Sequence, residues 1–582
     1  MRADGQAPIV VRVKRYADGA PGRCTTVAAR GAPPWSVAYG VATFLLLTAL
    51  FAQLSAAIGL AVGVAITARH LALALTLATL ATVAVGTIEG MGWRRTIAAV
   101  AAGAGILALA GVAAAAWWDF SYDGQAYHQS AIVQLVGGWN PLARPLSQAD
   151  STHHLWLNHY LRGPEMAAAV VVAATGDLEA GKAVGLVLLV SAGLFGAIAL
   201  RGAGARGSAA VAGAILATAS PIAISQAATY YVDGQLSALF ACAVALAWSS
   251  LRGPARSASL LLGAALALLA AVKFTGTVDA ALLLAGYGAV ALLMRPGWRT
   301  ASRVCGLATV TGAAVLALTW QPLVTNTRDH GHPFYPLAGR GAIDVVSGQA
   351  PRFGRSGPVR RFLLSTFSES SAGRQAAPVA KVPVVVRGRE IEAMAVPDVR
   401  IAGFGPLFAL ALVIGLAGIA ASCRGGLSPV GLAGVGVAAA VLATVAINPG
   451  AWWARYVPQL WIAAVVALFA LAGARPASLR LCGVAALVVL TADAGLVGFS
   501  VARHQRATAA AARAQLHDLA TRGRQIDVVK GEMESVALRL QGAGLRARYV
   551  EPGCARALPL VGTSSTYCDA VADPLDSGSA RR

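Results

Sequence analysis

Long apolar runs separated by short polar interruptions fill the chain from residue 37 to residue 501. A helix needs roughly 20 apolar residues to cross a bilayer, and thirteen runs approach that length: 37–60, 71–90, 96–117, 182–200, 207–225, 234–250, 257–272, 277–294, 303–321, 401–422, 427–447, 457–473 and 479–501. The pattern predicts an all-α polytopic membrane protein with about 13 transmembrane helices. Three polar regions and a tail punctuate it: a basic segment at 1–36, loops at 118–181 and 322–400, and a C-terminal domain at 503–582. The intervening block, 37–502, is the membrane domain. Within the first loop, Pro164 to Ala174 is apolar but too short to span, which predicts an interfacial helix lying along the membrane. The tail reads as an Ala/Arg-rich helix, a strand at Gln525–Val529, a helix to Leu540 and a second strand at Arg546–Val550, a small α/β appendage.

Charge decides the expected orientation. With the N-terminus inside, eighteen Arg and Lys residues fall on the inner side, including Arg94, Arg95, Arg201, Arg206, Arg295, Arg299, Arg475 and Arg480. The short outer turns hold three: Arg69, Lys273 and Arg455. Short loops rich in Arg and Lys stay cytoplasmic, so the N-terminus is expected inside, with both long loops and the C-terminus outside. The first apolar run is too long for the core of a cleavable signal peptide.

Composition agrees with a membrane protein. The 582 residues are 57% hydrophobic and only 13% charged, against about 25% charged in soluble domains, and mean hydropathy is +0.64. The 64 glycines sit largely inside apolar runs, as membrane helices tolerate. A net charge of +21 reads as loop charge facing phospholipid headgroups, not as a nucleic-acid footprint. The run Arg352, Arg355, Arg360 and Arg361 fits the same role. Cys242, Cys305, Cys423 and Cys482 lie in or beside apolar runs and read as small packing residues. Cys554 and Cys568 flank a short polar loop in the exported tail, where an oxidising compartment would pair them.

The candidate chemistry gathers on one side. After the third run comes Trp117-Trp118-Asp119-Phe120-Ser121-Tyr122-Asp123-Gly124-Gln125-Ala126-Tyr127-His128. A carboxylate among these aromatics is partly desolvated and can serve as a base; equally, the Trp pair can be an interfacial belt and the acids helix caps. Further polar clusters recur where the chain re-emerges: Gly138-Trp139-Asn140-Pro141, Tyr160-Leu161-Arg162-Gly163-Pro164-Glu165, Tyr230-Tyr231-Val232-Asp233-Gly234, Val272-Lys273-Phe274-Thr275-Gly276, His332-Pro333-Phe334-Tyr335-Pro336-Leu337 and Asn448-Pro449-Gly450-Ala451-Trp452-Trp453-Ala454-Arg455-Tyr456. Lys273, one of only five lysines, stands in an otherwise apolar stretch, where an ammonium either snorkels to headgroups or meets an anion. Arg455 offers a guanidinium fork suited to phosphate. Asp233 is either a helix cap or a binding residue.

In layout and in these motifs, residues 95 to 475 resemble the GT-C superfamily of integral membrane glycosyltransferases, which use polyprenyl-phosphate-linked sugars. The Ala-rich composition with Arg in place of Lys points to a bacterial plasma membrane. The resemblance implies an active site at the exported face of the membrane and a catalytic Asp in the first outer loop. Its counterpart is Asp123, with Asp119 second; the adjacent Asp-Glu pair that many relatives carry is missing here, so the choice stays open. It further implies donor phosphate held by Lys273 and Arg455, and substrate contacts from Tyr127, His128, His154, Tyr231, Asp233 and Tyr335. The expected partners are the lipid-linked donor, a glycan, lipid or protein acceptor, and membrane lipids. Some members of the superfamily use a divalent cation, Mg or Mn, which Asp123 and His128 could ligate; no paired Cys/His spacing supports structural zinc. Displacement at the anomeric carbon would invert it. A lipid-linked polysaccharide polymerase or ligase is the nearest rival. A transporter or flippase is the second, although related halves and midplane charges are missing from the sequence.

Overall fold

A computed structural model describes residues 35–252, 256–353, 356–423, 425–523, 525–529, 531–550 and 556–568. The chain opens with α1 (Ser36–Ala61), α2 (Ala68–Ile88) and α3 (Trp93–Ala116). The first polar loop holds a π-helical turn (Gly124–His128), α4 (Gln129–Val136), α5 (His154–His159) and α6 (Gly163–Thr175). There follow α7 (Ala183–Gly202), α8 (Gly207–Thr218), α9 (Pro221–Gln226), α10 (Asp233–Arg252), α11 (Ala258–Val272), α12 (Phe274–Met294) and α13 (Trp298–Thr319). The second polar loop carries α14 (Thr325–His330), α15 (Pro358–Thr366) and α16 (Gly388–Ala393). The last helices of the bundle are α17 (Phe408–Ser422), α18 (Pro429–Ala446), α19 (Gln459–Ala472) and α20 (Ala477–Arg522).

Among the described residues nine helices are long and apolar enough to cross a membrane: α1, α2, α3, α10, α12, α18, α20, and α7 and α13 in the longer forms Glu179–Gly202 and Trp298–His330. Thirteen such runs are expected from hydropathy, and each does form a helix. Four come out short: α8 has 12 residues, α11 and α17 have 15 each and α19 has 14. The cause is local. Ser220 caps a new helix by accepting a hydrogen bond from the Ala223 N–H at 3.1 Å, and Pro221 follows, so the run 207–225 breaks into α8 and α9. Lys273 is extended (φ −163°, ψ 166°) and ends α11 one residue before α12 starts.

The helix α1 is apolar nearly all round and largely buried, packed by α2, α3, α6, α7 and α11. Small residues permit the close crossings: a Cβ on Gly103 would lie 2.5 Å from Phe44. Against the expectation of a helix lying on a surface, α6 is enclosed by protein. Every residue from Gly163 to Val172 is buried, and α6 packs on α1, α2, α4 and α11. An interfacial helix needs one polar, exposed face, and the run Met166-Ala167-Ala168-Ala169-Val170-Val171-Val172 has none.

The helix α20 runs unbroken for 46 residues, merging the last apolar run with the Ala/Arg-rich segment. At about 1.5 Å per residue it is far longer than a bilayer is thick, so it carries the C-terminal domain out on a rigid arm. That domain comprises β1 (Gln525–Val529), α21 (Val536–Gly542), β2 (Arg546–Val550), β3 (Ala557–Pro559) and β4 (Thr566–Cys568). Its sheet order is β2-β1-β4-β3, with β1 and β2 parallel and β4 antiparallel to both neighbours. The strands β1 and β2 match the expected ones; β3 and β4, three residues each, are too short to leave a pattern. Cys568 is disulfide-bonded, while its expected partner Cys554 lies outside the described residues.

Candidate functional site

A cavity of about 520 Å³ opens at the end of the bundle where α3 leaves and α10, α12 and α19 begin. Asp123, Tyr127, His128, Lys273 and Arg455 all line it, although they are spread over more than half of the chain. Each is placed by a chain break at a helix end. Asp123 immediately precedes the π-helical turn Gly124–His128, Lys273 is the extended joint between α11 and α12, and Arg455 occupies a single 3-10 turn (Ala454–Tyr456) before α19. π-Helical turns store irregular backbone and recur at functional sites.

Arg455 is the hub. Its Nη2 donates to Asp123 Oδ2 at 2.8 Å, its Nε to Asp233 Oδ2 at 3.0 Å and its Nη1 to Asp398 Oδ1 at 3.2 Å. Lys273 Nζ meets the other oxygen of Asp233 at 2.5 Å. Asp233 is fully buried and is held besides by Gln226 Nε2 at 2.9 Å. Arg400 closes the set, 3.0 Å from Asp398. Three carboxylates thus face three cations, which is how buried charge is tolerated. Burial works against the Arg455 cation, but Asp233 and Asp123 outweigh it and raise its pKa well above the usual range. Burial lifts Asp398 above an ordinary carboxylate despite Arg455. The aromatic wall is equally directed: Arg455 lies over Tyr231 at 4.5 Å and Lys273 over Tyr456 at 4.5 Å. Tyr127 is held neutral, its pKa raised by burial and then by Asp123.

Asp119 does not reach this cavity. It is wholly buried, and it accepts from Ser121 N–H at 2.8 Å, Ser121 Oγ at 2.5 Å and Tyr230 N–H at 2.7 Å, stapling the loop to the start of α10. Gly124 is required beside it, because a Cβ there would sit 2.1 Å from Asp119 Oδ2. Of the two candidate bases, the one facing the cavity is Asp123, its side chain 18% exposed.

The loop is clasped from outside by the C-terminal domain. Arg539 of α21 donates to Gln125 Oε1 at 2.8 Å, to Glu179 Oε1 at 3.1 Å and to the Asp119 carbonyl, with its guanidinium over Phe120 at 5.2 Å. Tyr122 donates to Glu532 Oε2 at 2.6 Å, and Gln125 Nε2 to the Gly562 carbonyl at 2.8 Å.

Four expected substrate contacts do not line the cavity. His154 turns Nδ1 to the Ser151 carbonyl at 3.2 Å and does not line the cavity. Tyr335 stacks on His330 with ring centroids 3.8 Å apart and packs edge-on to His159, forming an aromatic brace behind the site. Tyr231 and Asp233 both contact Arg455, the one by its ring and the other by its carboxylate. Of the pair named for a divalent ion, Asp123 meets the Arg455 guanidinium, while His128 holds Glu165 through Nδ1 and leaves Nε2 unpaired. Among the described residues no group of three or more His, Cys, Asp or Glu side chains is arranged to hold a metal ion. Sequence reasoning missed Asp398, Arg374 and Arg400 as lining residues, and it placed Arg162 and Glu165 in a polar cluster without giving them a role. The available signal was position: Asp398 and Arg400 precede the run at 401, as Asp123 follows the run at 96. Compared with protein-family models, curated proteins and solved structures, the chain matches none.

Proposed function

We propose that this protein is a membrane glycosyltransferase of the GT-C kind, moving a sugar from a polyprenyl-phosphate donor to an acceptor hydroxyl at the exported face of a bacterial plasma membrane. The observation that supports it most is Asp123 beside Lys273 and Arg455 in one cavity at the end of a helical bundle. Such a bundle offers a lipid-borne donor a route from the bilayer, and its mouth offers water-borne groups a route from outside. In this reading the remaining short helices also cross or enter the membrane, giving about thirteen in all, with the N-terminus inside.

The chemistry follows from the charge arrangement. The donor phosphate competes for the Arg455 fork and for Lys273, which releases Asp123 from its ion pair. The acceptor oxygen attacks the anomeric carbon as its proton passes to the freed Asp123 carboxylate. The bond from that carbon to the phosphate oxygen breaks, and the electron pair leaves on a phosphate stabilised by the two cations. One displacement inverts the anomeric centre.

The test is mass spectrometry of lipid-linked sugars and envelope glycans from a deletion strain complemented with the intact protein or with Asp123→Asn at matched expression. One missing sugar with accumulated donor, restored by the intact protein alone, is the expected result. Restoration by Asp123→Asn removes Asp123 from the mechanism, and unchanged glycans throughout refute the transferase.

A further inference from the structure

The same cavity is lined by a second cluster that the displacement chemistry leaves unused. His128 and Glu165 are 5% and 4% exposed, and His128 Nδ1 contacts Glu165 Oε1 directly. Arg162, 4% exposed, donates through Nη1 to the Leu157 carbonyl and lies over the Trp139 ring at 5.1 Å. All three residues line the cavity. His128 Nε2, Glu165 Oε2 and Arg162 Nη2 are each enclosed and have no hydrogen-bond partner.

Buried polar atoms are nearly always paired, and no protein group pairs these three, nor His153 Nε2, Thr275 Oγ1 and Trp453 Nε1 of the same lining, so this cavity suits a polar ligand. The positions in the cluster are not slack. Gly163, between Arg162 and Pro164, is pressed so closely on α11 and α1 that a Cβ would lie 2.7 Å from the Ala271 carbonyl and 2.8 Å from Gln53 Oε1. Glu165 sits in the first turn of this clamped helix, and its hold on Nδ1 sets the imidazole so that Nε2 is the free nitrogen. The cluster's three orphans comprise one fixed donor on Arg162, one acceptor on Glu165 and the ring nitrogen of His128. Hydroxyl groups, each able to donate once and accept twice, complete such a set, and neighbouring hydroxyls on one ring can do so together. Trp156 and Tyr160, ring centroids 5.1 Å apart, line the same cavity as apolar surface for a sugar face.

We propose that His128, Glu165 and Arg162 form a hydroxyl-recognition site for a sugar ring, distinct from the Asp123–Arg455 hub. Its assignment to the acceptor rests on the glycosyltransferase reading; binding of a sugar ring does not. The test is therefore an equilibrium one. Saturation-transfer NMR on the full-length protein in nanodiscs, with a panel of methyl pyranosides and methyl furanosides, reads binding without turnover. Wild type is expected to saturate one glycoside, while Glu165→Gln and His128→Phe lose at least fivefold of that signal. Melting temperatures identify any variant that has unfolded, and His128→Gln replaces one that has. Equal saturation in folded Glu165→Gln and His128 variants overturns the proposal, and so does a wild type that no glycoside saturates. Failure of the transferase reading is separately visible as unchanged glycans in the deletion strain.

Discussion

Arg539→Ala tests whether the C-terminal domain holds the Asp123 loop in place. The arginine lies between the domain and the membrane bundle, its side chain 9% exposed, joined to Glu179 at 3.1 Å, to Gln125 at 2.8 Å and to the Asp119 carbonyl. Glu179 is itself 6% exposed and, once Arg539 is gone, keeps Lys182 at 2.6 Å and the Asp119 N–H at 3.1 Å, both on Oε2, so that Oε1 loses its partner. Removing one member of a buried, hydrogen-bonded charge pair costs about 3–5 kcal/mol. At 1.4 kcal/mol per factor of ten, the docking equilibrium moves by roughly 10² to 10⁴. Hydrogen exchange by mass spectrometry on protein in nanodiscs reads this directly. Segment 117–128 and strand β4 are expected to lose protection by that factor, with α1 unchanged. Arg539→Lys is expected to fall between, since an ammonium cannot serve three separated acceptors in one plane. Unchanged protection at 117–128 in Arg539→Ala would refute the clasp.

Other expected outcomes are equally specific. Asp123→Asn should lower sugar transfer in membrane preparations by about 10²–10⁴-fold, the usual worth of a general base, with its melting temperature close to wild type. Arg455→Lys keeps the charge but loses the fork that reaches Asp123, Asp233 and Asp398, so transfer should drop at least tenfold in the same assay, with a raised KM for the lipid donor. Gly124→Ala drives a methyl group into the Asp119 carboxylate and should cost about 1–3 kcal/mol for each displaced hydrogen bond, visible as a lower melting temperature and lost transfer. Asp119→Ala strips three buried donors of their acceptor and should destabilise the fold more than Asp123→Asn does, by thermal unfolding.

The helices and the polarity of the site were legible along the chain, because hydropathy is a sum over neighbours and needs no partner. Asp123, Lys273 and Arg455 stood out for the same reason, as charges at the ends of apolar runs. Length was less legible, since Ser220-Pro221 and the extended Lys273 cut helices that hydropathy alone would continue. The enclosure of α6 could not be read, because an apolar run looks alike whether lipid or protein surrounds it.

Pairing belongs to the tertiary structure alone. That Arg455 binds three carboxylates, that Asp119 is spent on Ser121 and Tyr230, and that Arg539 reaches Gln125 from over four hundred residues away depend on which helix ends meet. The sequence by itself determined a helical membrane chain whose polar chemistry lies at its helix ends. Packing decided which of those ends share a cavity, since electrostatic partners act over a few ångströms of space and leave no periodic trace in the order of residues.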